Sequence, residues 1–154
     1  MKKELMTAQE IHDFGIEIVF KQLQKEGHKI LSVNIELGTN PQIVARKDGQ
    51  IEFIIVRTAC YPNRGEIESA ELALQCVAYA DKADAICYFA SVGIVNADGK
   101  TETEMGTPVK GVGFHAMYEG LLILTRSDRV KVWGPHGSSR LTPDDVNGKG
   151  RRKH

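Results

Sequence analysis

Long apolar runs are missing from this 154-residue chain: none approaches the ~18 consecutive apolar residues that a membrane-crossing helix needs. The opening MKKELMTAQE is charged with no apolar core behind it, so no signal peptide is expected. Metal-ligand spacing is missing too. His12, His28, His115, His136 and His154 include no pair three or four residues apart, and the three cysteines (Cys60, Cys76, Cys87) fit no ligand pattern. An odd number of such cysteines points to reduced, packed thiols in a cytoplasmic protein. The glycine-rich run from Gly106 to Gly113 lacks the G-K-[ST] of a phosphate-cradling loop, and Ser138-Ser139 has no base or oxyanion context. No metal, cofactor or membrane partner is expected.

An excess charge is also lacking, but the neutral total hides an asymmetry. The last eight residues, NGKGRRKH, hold Lys149, Arg151, Arg152 and Lys153 and no acid; without them 16 basic residues face 20 acidic ones, a net charge of −4. A mildly acidic body argues against a broad phosphate-gripping surface. The tail is the one dense positive cluster and the expected site of any weak, salt-sensitive nucleic-acid binding.

What is present organises as one α/β domain over residues 1–133 and a flexible basic tail over 134–154. Thr7 and Glu10 form a T-x-x-E capping box, and Ile11, Phe14, Ile16, Ile18, Val19, Phe20 and Leu23 give a wide apolar helical face ended by Gly27. Residues 28–37 alternate, with Leu31, Val33, Ile35 and Leu37 on one side and a wet face on the other. Strands follow at 42–46 and 51–58, joined by an Asp48-Gly49 hairpin turn. The second of them, IEFIIV, is apolar on both faces except for Glu52, as a covered central strand should be. A helix is expected over 66–81, with Ile67, Ala70, Leu74 and Val77 as its buried stripe, and a strand over 85–95. Residues 100–113 read as loop, Met117 to Leu121 as a short helical turn, and 121–125 with 129–133 as a last strand pair. Short links make the first three strands antiparallel; the helical crossover lets the fourth run parallel to a partner, giving a mixed sheet between helices.

That α-β-β-β-α-β order, with Pro41 leading one strand and the next ending in Arg57-Thr58, resembles the PD-(D/E)XK nuclease superfamily over about residues 8–95. The resemblance implies a restriction-endonuclease-like core, here followed by the C-terminal strand pair. In active members a helix acid, an Asp after the Pro and an acid-x-Lys pair collect Mg²⁺ against the scissile phosphate. Here the helix acid matches Glu17, the Asp position is Gln42, and acid-x-Lys reads Ile55-Val56-Arg57. Two carboxylates are lost, and a permanently charged Arg replaces the Lys, which repels a cation where the metal should sit.

Each remnant also has a plainer reading. Glu17 precedes Lys21 by four, the favourable order for a surface ion pair. Gln42 reads as a polar residue starting an edge strand. Arg57 either pairs with Glu17 or a helix-end acid, or binds an anion. Cys60, near Arg57, is either an inert packed thiol or one whose pKa a cation lowers. Glu66, Glu68 and Glu71 open the second helix, where acids complement its dipole; Glu52 sits an odd number of residues from Ile55 and so on the other sheet face.

The expected function is therefore a catalytically degenerate nuclease-fold domain that binds a nucleic acid or a protein. One alternative is an active nuclease with a rearranged site of Glu17, Glu66 and Glu68. The other is a self-associating domain, a homodimer for example, with nothing at the cleft.

Overall fold

A computed structural model describes residues 4–125. The expected 129–133 strand and the 134–154 tail, with Lys149, Arg151, Arg152 and Lys153, lie outside them. The described chain runs α1 (Ala8–Lys25), β1 (Lys29–Val33), β2 (Ile43–Lys47), β3 (Gln50–Cys60), α2 (Ala70–Lys82), β4 (Ala85–Asn96), α3 (Glu102–Met105) and β5 (Phe114–Ile123). The strands form one five-stranded sheet in the order β1-β2-β3-β4-β5. β1, β2 and β3 are antiparallel neighbours, β3 and β4 are parallel, and β5 returns antiparallel to β4. No helix among the described residues is long and apolar enough to cross a membrane.

Local chemistry explains most boundaries. Thr7 caps α1 with both halves of the capping box in place, and Gly27, at φ 91°, lets the chain turn away after it. Asp48 (φ 52°) and Gly49 (φ 81°) supply the two positive angles of the β2–β3 hairpin. The period of two along β3 then splits the core. Phe53 and Ile55 join Ala73, Cys76, Val77 and Ala80 of α2, while Ile54 and Val56 join Ile16, Val19 and Leu23 of α1. The sheet thus carries a helix on each face, with separate apolar clusters.

Several expectations are corrected. The second helix begins at Ala70, capped by Ser69, so Glu66 and Glu68 precede it and only Glu71 lies in its first turn. Its buried stripe is accordingly Ala73, Cys76, Val77 and Ala80, while Leu74 is exposed; Ile67 is buried from the preceding loop. Residues 102–105 form α3 on a Thr101 cap, inside the stretch expected to be loop. Met117 to Leu121 belong to β5, whose pairing with β4 provides backbone partners that a helical turn would forgo. The largest surprise is β1. Most of its expected core residues are exposed, Leu31 and Val33 at 42 % each and Ile35 and Leu37 beyond its end. The strand lies at the sheet edge and carries a register shift between Ile30 and Ser32, and Ile30, not Leu31, packs on the α1 core.

Candidate functional site

The remnant positions do not converge. Ile55 is 1 % exposed within the α2-side core. Glu17 is exposed and makes the i,i+4 ion pair with Lys21 at 3.0 Å, facing the β1 groove. Gln42 and Arg57 do meet, where β3 passes the chain entering β2. Gln42 is no edge residue: it is 1 % exposed and precedes a strand enclosed by β1 and β3. Its backbone N–H donates to Ile54 O (3.1 Å), and its side-chain Oε1 accepts the Val56 N–H (2.7 Å). The amide side chain thus takes the place of the next ladder carbonyl, at the point where Asn40-Pro41 turns away from β3. Its Nε2 donates to Thr39 O (2.6 Å) and Asn40 Oδ1 (3.1 Å). A carboxylate there would have no proton for either oxygen, which is a structural reason for Gln over Asp.

Arg57 completes the cluster. Nη1 donates to Gln42 Oε1 (3.3 Å) and to Val56 O (3.0 Å), while Nε and Nη2 form a fork on Glu68 with contacts of 3.0 to 3.2 Å. The cation's partner is therefore Glu68, just before the α2 cap, not Glu17. The Arg57 side chain is 13 % exposed and that of Glu68 62 %, so the pair is open to water on the acid's side. Partial burial raises the Glu68 carboxyl, but Arg57 outweighs it and holds the group below its usual range. Gly65 packs against this segment so closely that a Cβ would lie 1.9 Å from Arg57 O.

The α1 residue that senses this cluster is His12. Burial lowers its pKa, Arg57 lowers it further, and Asp13 and Glu68 oppose both. His12 is 7 % exposed, and its Nε2, like the Thr58 Oγ1, has no hydrogen-bond partner among the described residues. Sequence reasoning missed His12 because a lone histidine has no spacing signal; its position near the start of α1, five residues ahead of the motif acid, was the only hint. Of the two readings of Cys60, the inert one is favoured: burial raises its thiol pKa, the opposite of activation.

The chemistry available is limited. Arg57 and Glu68 neutralise each other, His12 stays neutral and enclosed, and no group of three His, Cys, Asp or Glu residues among those described could hold a metal ion. Glu66 is exposed, and Glu17 and Glu68 have separate partners. A pH signature follows. Because the folded His12 pKa lies below 6.5, an unfolded chain takes up a proton there that the folded one refuses. Its contribution is fully present above about pH 6.5 and is lost as pH falls below it. Urea midpoints should decline as pH falls below about 6.5, and His12→Gln should flatten the decline; equal slopes in both proteins would rule His12 out as the cause. Glu68 acts in a lower window, below its ordinary 4.5.

No curated protein matches this chain. The model of the family described as "Domain of unknown function (DUF8840)" matches residues 9–124, from the first turn of α1 to just past β5, and the chain belongs to that family.

Proposed function

We propose that this chain is a catalytically degenerate domain of restriction-endonuclease-like fold that acts by binding a partner, not by cleaving phosphodiesters. The element order and strand directions that motivated the resemblance recur in the fold: antiparallel β1, β2 and β3, then a helical crossover to a parallel β4. The observation that carries the reading is the Gln42–Arg57–Glu68 cluster. Where two metal carboxylates and a tunable Lys would be needed, an amide patches the β ladder and a permanent cation is forked onto the nearest acid. The net charge of −4 outside the tail and the exposed apolar stripe along β1 favour a protein over a nucleic acid as partner.

The test is direct. Purified protein incubated with double- and single-stranded DNA and RNA in Mg²⁺ or Mn²⁺ should leave every substrate intact. Metal-dependent cleavage that disappears in Glu17→Ala or Glu68→Ala would overturn the reading in favour of the rearranged site.

A further inference from the structure

We propose that the groove between α1 and the end of β1 receives a basic segment of a partner protein, which seats one large apolar side chain among Ile16, Phe20, Val33 and Ile35 and sets a Lys or Arg against Asp13 and Glu17. The inference rests on the binding reading above and gives that partner a chemistry. Its test involves no nuclease assay, so either can fail without the other.

The groove holds about 220 Å³ and is lined by Asp13, Ile16, Glu17, Phe20, Val33 and Ile35. Small-molecule and cofactor sites start near ~300 Å³, so this space suits a single side chain of an approaching protein. Ile16 is 2 % exposed, whereas Val33 and Ile35 stand open at 42 and 48 %, and Leu37 continues the apolar surface beyond them. An open apolar patch with a polar rim marks a place where another surface docks. Local bonds hold its shape. The Gln9 side chain, in the first turn of α1, donates through Nε2 to Asp13 Oδ1 (2.7 Å) and to Ile35 O (2.6 Å), and Asn34 Oδ1 accepts the Glu36 N–H (2.9 Å). The rim beyond β1 is thus fastened to the helix before any partner arrives, which lowers the ordering cost of binding.

Charge complementarity names the occupant. Asp13 and Glu17 lie one helical turn apart on the groove side of α1, a like-charge pair that by itself weakens a helix slightly. A cation held between them removes that repulsion. Their engagements within the chain are light: Asp13 accepts from Gln9, and Glu17 pairs with Lys21 at 3.0 Å with both side chains more than half exposed. An ion pair so open to water contributes little and gives way to a better-enclosed one. The same two carboxylates repel phosphate, which disfavours nucleic acid and anionic lipid here. At longer range, the 16 basic against 20 acidic residues outside the last eight leave a net charge of −4, which draws a basic partner in. The apolar floor then supplies the anchor and the acids supply the choice of partner.

The probe is a fluorescein-labelled peptide of three Lys-Leu-Arg-Phe repeats, titrated with the full chain and read by fluorescence anisotropy. A Kd of about 50 µM is expected. Asp13→Asn/Glu17→Gln should weaken binding about tenfold and flatten its salt dependence. Ile35→Ser should also weaken it about tenfold, with unchanged circular dichroism because the side chain is already half exposed. Glu71→Gln/Glu102→Gln neutralises two exposed acids on α2 and α3 and should leave the affinity within about twofold. Equal weakening by the two neutralised pairs would mean capture by net charge alone and overturns the proposal, as does no binding at about 100 µM. Two other occupants are tested in parallel. Labelled dodecathymidylate that binds the chain and is released by Ile35→Ser would give the groove to nucleic acid. A dimer in sedimentation velocity that Ile35→Ser disperses would give it to a second copy. Either result overturns the proposal.

Discussion

His28→Ala should cost about 3 kcal/mol of folding stability and lower the melting temperature by roughly 10 °C. His28 Nδ1 lies 2.7 Å from Glu52 Oε1, with the two side chains 8 % and 7 % exposed. Glu52 sits on the α1 face of β3, and His28, two residues past the Glu26 cap, donates its N–H to Leu23 O, so the side-chain contact ties the end of α1 to the central strand. Glu26 approaches the other ring nitrogen at 3.9 Å. The effect is large because of what remains after truncation, not because the pair is strong. A buried carboxylate that loses its partner keeps its whole desolvation penalty, whereas replacing both members with apolar groups removes it. The double variant His28→Leu/Glu52→Leu should therefore be more stable than His28→Ala alone. If His28→Ala melts within about 2 °C of the native chain, the pair contributes nothing and Glu52 has another source of relief.

Gly15→Ala should destabilise by about 2 kcal/mol, against the ~1 kcal/mol gain that helix propensity alone would give. The reason is contact. A Cβ at Gly15 would lie 1.6 Å from Thr58 Oγ1 and 2.7 Å from Thr58 Cβ, so α1 would have to lift off β3 or Thr58 would have to leave its position. Thr58 offers a built-in control. Its Oγ1 is buried with no hydrogen-bond partner among the described residues, so Thr58→Gly removes an unsatisfied hydroxyl together with the Cβ that would lie 2.7 Å away. In that background Gly15→Ala should cost less than about 1 kcal/mol, a coupling that chemical denaturation resolves. Additive effects in the two backgrounds would show that Gly15 is selected for something other than this approach.

The sequence revealed alternation and punctuation but not enclosure. The capping box at Thr7, the turn at Asp48-Gly49 and the double-sided apolar run of β3 each act over a few residues, and each appears where the pattern put it. Leu31 and Val33 alternate just as buried strand residues do, yet among the described residues α1 covers that side only in part, because burial depends on which elements pack where. The second helix shows the same limit. Glu66, Ile67 and Glu68 continue a helical pattern, but Ser69 accepts the Leu72 N–H at 3.0 Å and sets the start at Ala70, beyond all three. The cluster around Gln42 was legible only in part. The absent carboxylates could be read from positions 42, 55 and 57, but the ladder contact to Val56 depends on how the chain bends at residues 39–41. The acid that pairs with Arg57 had to be seen in three dimensions.

The pairing of β3 with strands of opposite direction sets the order in which the sheet can assemble. β2 and β3 meet across a two-residue turn from Lys47↔Gln50 to Ile43↔Ile54, a hairpin whose closure takes microseconds. β4 must find β3 from Ile51↔Ala85 to Cys60↔Ile94, and each of those contacts spans 34 residues. That loop closes only against a larger loss of chain entropy. The parallel half of the sheet therefore forms on a hairpin that already exists, and the barrier to folding lies in delivering β4 through α2. Pulse-labelled hydrogen exchange would show it as protection at 43–54 ahead of 85–94, while simultaneous protection would place both pairings in one nucleus. The segment bearing the Gln42–Val56 contact thus belongs to the early hairpin, and its geometry is set before most of the molecule has assembled around it.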